Sequence, residues 1–354
     1  MKDKIIVFLF ITYIVIFSIL HITFKDLEIS NSERRYLDNF PEFKLSGEFI
    51  TDVDEYLLDH FPFRDKFRSI KANFNYKVLG KLDNNGIYLK DNYIFKSDYP
   101  TNKKSIDNFV KNINKLKENF SDKNKVYLLT VPDKNYYLNK DLFLGIDYNY
   151  IYDELSKLDI NFIDIRELLE LNDYYETDTH WKQEKIFKVI KELSKVMDFK
   201  YLDLDYKEHK FNNFYGVYYG ESALNRKPEV ITYLTNDIID NAHVKYLENP
   251  KLDKVYNLDN LNRFDSYEVY LDGASSFIEI YNESCSDDRE LVIFRDSFGS
   301  SITPLLIPYY SKITLIDNRY INSENFLKYI EFTNQDILFL YSTMIVNNSF
   351  SLKG

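Results

Sequence analysis

Asp178 and His180 stand two residues apart in YYETDTHW, residues 174–181, with the chain's only tryptophan, Trp181, directly after them. A carboxylate beside an imidazole fixes the ring's tautomer and stabilises its protonated form. The pair reads in three ways: the base and orienter of a nucleophilic triad, two ligands of a metal site, or a surface turn. In an extended segment, residues two apart point to the same side, which predicts that the two side chains are neighbours.

The triad reading needs a nucleophile, and LVIFRDSFGSS, residues 291–301, offers Ser297. An apolar strand runs into Arg295-Asp296-Ser297-Phe298-Gly299, and a helix is predicted shortly after. A serine at such a turn stands at the carboxyl edge of the sheet, where α/β proteins build sites. The helix N-terminus brings backbone N–H groups and a positive dipole end, the makings of an oxyanion hole. The competing reading is a simple cap, with Asp296 or Ser297 closing the helix. Ser300 and Ser301 lie inside the predicted helix and are expected to point elsewhere. A metal would need a third ligand. His21 lies in an apolar run, and His60, His209 and His243 sit in no ligand-like spacing, so no metal is expected.

The elements that position these residues follow an α/β rhythm. Ile106, Phe109, Ile113, Leu116 and Phe120 mark one helical face, VYLLTVP (126–132) a buried strand, and YIYDELSKL a helix. INFIDI (160–165) reads as a strand and KQEKIFKVIKELSKVM (182–197) as an amphipathic helix. LVIF (291–294), KITLID (312–317) and DILFLYS (336–342) complete a mostly parallel sheet with helices on both faces. Between about 200 and 285 the short runs VITYL, HVKYL, SYEVYL and SFIEIY predict an antiparallel, β-rich insertion. Residues 46–80 have helical spacing on both sides of a break at Pro62. NNGIYLKDNYIF (84–95) predicts a hairpin.

The N-terminal run IIVFLFITYIVIFSILHITF, residues 5–24, is uncharged and follows Lys2 and Lys4. About 20 apolar residues suffice to cross a bilayer, so the run predicts an uncleaved signal anchor with a cytoplasmic N-terminus. The expected organisation is therefore an anchor at 1–24, a tether and helical segment at 25–80, and a main domain at 81–354. The 354 residues carry a net charge of -11 with lysines interleaved among acids, which argues against nucleic acid as a partner. A single cysteine, Cys285, excludes an intramolecular disulfide framework and a multi-cysteine zinc site. The aromatic share is 17%; tyrosines can line a sugar-binding groove, but the joint excess of Tyr, Asn, Lys and Ile reads in bulk as the mark of an AT-rich genome.

With Asp178, His180, Trp181 and Ser297 in place, the sequence resembles the DHHW family of exported bacterial proteins. That family is similar to the alginate O-acetyltransferase proteins with SGNH-hydrolase-like domains. The resemblance spans most of 30–345, through SERRYLDNFPEF (32–43), DEYLLDHFPFRD (54–65), VPDK (131–134), DTHW, FRDSFGSS and IDNRY (316–320). Thr179 replaces the first histidine of the naming motif, a change expected to be tolerated. Asp178 and His180 precede the serine, as in the alginate-type branch and unlike ordinary SGNH hydrolases.

The resemblance implies Ser297 as nucleophile, His180 as base and Asp178 as orienter. It implies an O-acetyltransferase acting outside the membrane on an exported polysaccharide. No bound cofactor is implied; acetyl would come from acetyl-CoA through a membrane-bound O-acyltransferase. An esterase with the same residues, or a non-catalytic glycan-binding envelope protein, are the other readings. Arg319, just past KITLID, and Lys134, after the VP of 131–132, are secondary candidates for substrate binding. Trp181 is a third, with a sugar-stacking face weighed against a core role.

Overall fold

A computed structural model describes residues 2–30, 33, 35–138 and 144–353; Ser32 and Arg34 of the 32–43 block lie outside them. The chain forms two compact units, one of Met1–Ile87 with Tyr219–Lys227, the other of Tyr88–Tyr218 with Pro228–Gly354.

The first unit opens with helix α1, Lys2–Thr23, which is long and apolar enough to cross a membrane and buries none of its residues. Helices α2 (Gly47–Asp59) and α3 (Arg64–Asn73) flank the predicted break at Pro62. Ser46 caps α2 by accepting from the Phe49 N–H. Arg64 donates to both carboxylate oxygens of Glu33, a structural ion pair.

A hairpin of β1 (Ile87–Lys90) and β2 (Tyr93–Lys96) turns at Asp91-Asn92. In the second unit α4 (Lys103–Lys117) leads into β3 (Lys125–Val131). Helix α5 (Tyr148–Leu155), β4 (Asn161–Asp164) and α6 (Phe187–Val196) follow. Next come β5 (Lys207–Phe214), β6 (Glu229–Thr235), β7 (His243–Tyr246) and β8 (Phe277–Tyr281). Strand β9 (Glu290–Arg295), α7 (Phe298–Leu306), β10 (Lys312–Ile316) and β11 (Asp336–Ser342) complete the sheet and its cover.

The central sheet has seven strands in the order β7-β8-β10-β9-β11-β3-β4. The five from β10 to β4 are mutually parallel. Alternate residues of each inner strand enter opposite cores. Leu291, Ile293, Leu338 and Leu340 face one, while Val292, Phe294, Ile337 and Phe339 face the other. Both faces are thus covered, as near-continuous apolar strands require.

Three expectations change. The segment at 200–285 is not a wholly separate β-rich insertion: β7 and β8 join the central sheet, with β8 antiparallel to both neighbours. Only β5 and β6 pair apart from it. SYEVYL is not a strand. Asp265 caps a 3-10 turn over Ser266–Val269 by accepting from the Tyr267 N–H, and Tyr267, Val269, Tyr270 and Leu271 are all buried, so no face alternates. The helix expected from 182 starts at Phe187. Gln183 is buried in a preceding 3-10 turn, donating to the Ser301 carbonyl and accepting from the Leu234 N–H.

Candidate active site

The parallel strands all end at one edge, and that edge gathers Lys134 after β3, Ser297 after β9, Arg319 after β10 and Thr343 after β11. Asp296 pins the serine turn there. Its Oδ1 accepts from the Phe298 N–H at 2.9 Å and its Oδ2 from the Ser342 N–H on the neighbouring strand at 2.7 Å. Asp296 is therefore the helix cap, and the Ser297 hydroxyl, which makes no capping bond, is free for another partner.

That partner is His180. The Ser297 Oγ–H donates to His180 Nε2 at 2.7 Å, across 117 residues. His180 Nδ1 lies 2.5 Å from Asp178 Oδ1. A carboxylate only accepts, so Nδ1 carries the ring proton and Nε2 is left as the acceptor for the hydroxyl. Exposure falls along the chain of bonds: Ser297 is half-buried, the His180 side chain is 10% exposed and Asp178 1%. Only the serine end faces solvent to any extent. Such an array can take a proton from the hydroxyl as that hydroxyl attacks an electrophilic carbon.

Asp178 and His180 meet for a reason other than strand alternation. Residues 176–180 form a bend closed by an antiparallel bridge between Tyr174 and Trp181. Within it Asp178 Oδ1 also accepts from the His180 N–H at 3.0 Å, a turn closed by the aspartate side chain. The second carboxylate oxygen accepts from the Val217 N–H at 2.8 Å. Glu229 holds the other end of the bend, accepting from the N–H groups of Glu176 and Thr177 and from the Thr177 hydroxyl. Tyr267 stacks flat on the imidazole, with centroids 3.7 Å apart and planes 8° from parallel. Sequence reading missed Glu229, Val217 and Tyr267, because no local signal marks a partner that arrives from 39 to 87 residues away (217 − 178 and 267 − 180).

Gly216 packs against this bend so closely that a Cβ there would lie 2.3 Å from the Thr177 carbonyl carbon and 2.4 Å from Asp178 Cβ. Gly216→Ala must displace backbone that carries the aspartate. The expected result is a loss of roughly 10²-fold in kcat from misplaced groups, with the fold retained by circular dichroism. Wild-type turnover in that variant would show that the bend's position is not critical.

The expected oxyanion hole is smaller than a bare helix end. Phe298's N–H goes to Asp296 Oδ1, Gly299's to the Asp296 carbonyl and Ser300's to the Ser297 carbonyl. Among the described residues no acceptor stands against the N–H of Ser297 itself. Arg295, fully buried, braces the turn from beneath by donating to Ser300 Oγ and to the carbonyls of Gly273 and Ser275. Gly299 lies against it, where a Cβ would meet Arg295 Cβ at 2.7 Å.

The three secondary candidates are placed differently from one another. Trp181 is fully buried and its Nε1–H donates to Ser301 Oγ, which also accepts from the Tyr267 hydroxyl; it has no face for a sugar. Lys134 is enclosed as well, and its Nζ donates at 3.0 Å to the carbonyls of Tyr175 and Glu176, so it tethers the bend instead of reaching solvent. Arg319 remains partly exposed but directs two hydrogen bonds at buried Asp317. Thr179, in the variant motif position, donates to Met344 Sδ. Among the described residues no cluster of three metal-ligating side chains occurs.

Burial pushes the Lys134 ammonium down to about 7, against the pull of Asp178, Glu229 and Asp133. The unfolded chain, with an ordinary lysine, therefore binds the extra proton between that value and about 10.5. Stability contributed at this position rises with pH across that window and is lowest below it. The difference in unfolding free energy between wild type and Lys134→Met should grow with pH, with a limiting slope of about 1.4 kcal/mol per unit. A pH-independent difference in denaturant titrations would contradict this assignment.

No protein-family model matches the sequence, and no curated protein matches it. Solved structures do. A DHHW family protein from Eubacterium siraeum superposes with a TM-score of 0.63 at 18% identity, covering 76% of this chain and 94% of that one. The chain has the fold of a DHHW family protein. Bacillus cereus PatB1, also solved with a sulfonyl adduct, gives a TM-score of 0.60 at 20% identity over 77% of this chain and all of that one. A looser likeness, with a TM-score of 0.46 and 11% identity, is to the O-acetyltransferase domain of Pseudomonas putida AlgJ. The DHHW resemblance read from the motif blocks thus holds at the level of the fold.

Proposed function

We propose that this protein is a membrane-anchored O-acyltransferase that carries an acetyl group on Ser297 and passes it to a hydroxyl of an exported polysaccharide. The observation that carries the proposal is the continuous bond path from Ser297 Oγ through His180 to Asp178 at the carboxyl edge of the sheet. In the first half-reaction Ser297 Oγ attacks the donor's acyl carbon. His180 Nε2 takes the hydroxyl proton and delivers it to the leaving group as the donor bond breaks. In the second, a glycan hydroxyl gives its proton to Nε2 and attacks the acyl-serine, and the proton returns to Ser297 Oγ. Asp178 holds the ring and stabilises the imidazolium in both.

The anchor α1, with Lys2 and Lys4 on its short side, supports an extracytoplasmic position for the rest of the chain. Acetyl-CoA is not available there, so the donor is assigned to a membrane-bound O-acyltransferase partner. The test is the O-acetyl content of surface polysaccharide, by NMR, in cells with wild type, a deletion, or Ser297→Ala at matched expression. Loss of acetyl in both altered strains is expected. A rise in both would make the protein an esterase. A change on deletion that Ser297→Ala does not reproduce would leave a scaffold.

A further inference from the structure

Helix α3 and the residues that flank it carry an apolar row that their own unit covers only in part. Phe63, Phe67, Ile70 and Phe74, spaced four, three and four residues apart, are all exposed. A row of four large apolar side chains in water is unfavourable and marks a surface that something covers. The cover is indicated by what α3 touches. The ring of Phe17, inside α1, stacks on Phe61 with centroids 5.3 Å apart and planes 9° from parallel, and lies 6.0 Å from Phe67. Phe24, just past the end of α1, meets Phe63 edge to face at 5.2 Å.

These contacts set a depth. Phe17 precedes Thr23, the end of α1, by six residues, or about 9 Å of helix. If α1 crosses a bilayer, its partners Phe61 and Phe67 sit that far below the level of Thr23, while Phe63 sits near it. Helices that lie in the plane of an interface bury their apolar face to about 5–10 Å. The rest of α3 suits that level. Arg64 pairs with Glu33, and Arg68 with Glu33 and Asp65, whereas Lys66 and Lys71 have no ion pair among the described residues, and the Lys66 ammonium lies 5.2 Å from the Phe63 ring centroid. Long cationic side chains of this kind keep their stems in the apolar layer and their heads among phosphates.

We infer that α3 is a second membrane contact: it lies in the headgroup region of the outer leaflet, with Phe67, Ile70 and Phe74 among the acyl chains. The occupant of the open face is lipid, not a protein partner. The unit is then held by α1 and by α3 together, so it does not swing freely on a tether. The inference rests on α1 crossing the bilayer.

The experiment uses the full chain reconstituted in vesicles of phosphatidylcholine and phosphatidylglycerol, with or without bromine on the acyl chains. Tryptophan is placed singly by Phe67→Trp and by Phe8→Trp within α1, and the parent, with only buried Trp181, gives the background. Phe67→Trp should lose about two-fold or more of its emission to acyl-chain bromine, as Phe8→Trp does. Quenching of Phe8→Trp without quenching of Phe67→Trp overturns the inference while leaving the anchor intact, and it returns the open face to a protein partner. Quenching of neither overturns the anchor as well.

Discussion

Ser297→Ala should lower acyl transfer and ester turnover by at least about 10³-fold while leaving the thermal midpoint nearly unchanged. Among the described residues the hydroxyl's partner is His180 Nε2, and it caps nothing, because Asp296 closes the helix in its place. Losing it removes one half-buried hydrogen bond, worth about 1 kcal/mol. It also removes the atom that the acyl group would be carried on. The two effects separate cleanly: activity is read with a chromogenic acetate ester, and folding by differential scanning calorimetry. A variant that unfolds many degrees lower would assign the serine a structural role. A variant that is stable and fully active would place the nucleophile elsewhere.

Asp178→Asn should cost kcat about 10³- to 10⁴-fold with little change in KM. The carboxylate is 1% exposed and fixes the imidazole by accepting from Nδ1–H, which leaves Nε2 unprotonated toward Ser297. An amide in its place can offer an N–H to Nδ1 and so stabilise the tautomer that has its proton on the wrong nitrogen. The Val217 N–H can still find an amide oxygen, but the His180 N–H loses the acceptor it has in Oδ1, so the bend is then held by the Val217 bond and the Tyr174–Trp181 bridge. A pH profile distinguishes this from simple loosening. A tautomer defect persists at every pH and is partly relieved by a strong external nucleophile. A KM that rises with kcat unchanged would show instead that Asp178 acts on substrate binding.

How much of this was written in the sequence depends on the range over which each contact acts. The serine turn was legible because an apolar strand, an acid and a small residue at a strand-to-helix junction are local. Asp178 and His180 were legible as residue types, although the reason for their meeting was misread. The bend is closed by the aspartate side chain and by Tyr174 bridging Trp181, not by the alternation of a strand. The sheet's parallel half followed from its apolar strands, but β7 and β8 looked like a separate antiparallel body. Pairing across 39 residues, from Ile316 back to its partner Phe277, decides that point and leaves no local mark (an alternating run is the same whichever sheet receives it). Lys134 and Trp181 show a related limit. Trp181 adjoins His180 in sequence and Lys134 follows a strand end at the same sheet edge, yet one fills a core and the other tethers a loop, because direction is set by what packs over them. Arg295 went unremarked, and the only hint was a cation at the end of a fully apolar strand.

The central question is whether an acyl group resides on Ser297. The purified full chain would be mixed with an activated acetate ester, quenched in acid within seconds, digested, and its peptides read by mass spectrometry. The prediction is one acetyl group on the peptide containing Ser297, absent in Ser297→Ala and discharged when a hydroxyl-rich glycan is added before the quench. An acetyl group on another residue, or none on a chain that still turns the ester over, would contradict the account.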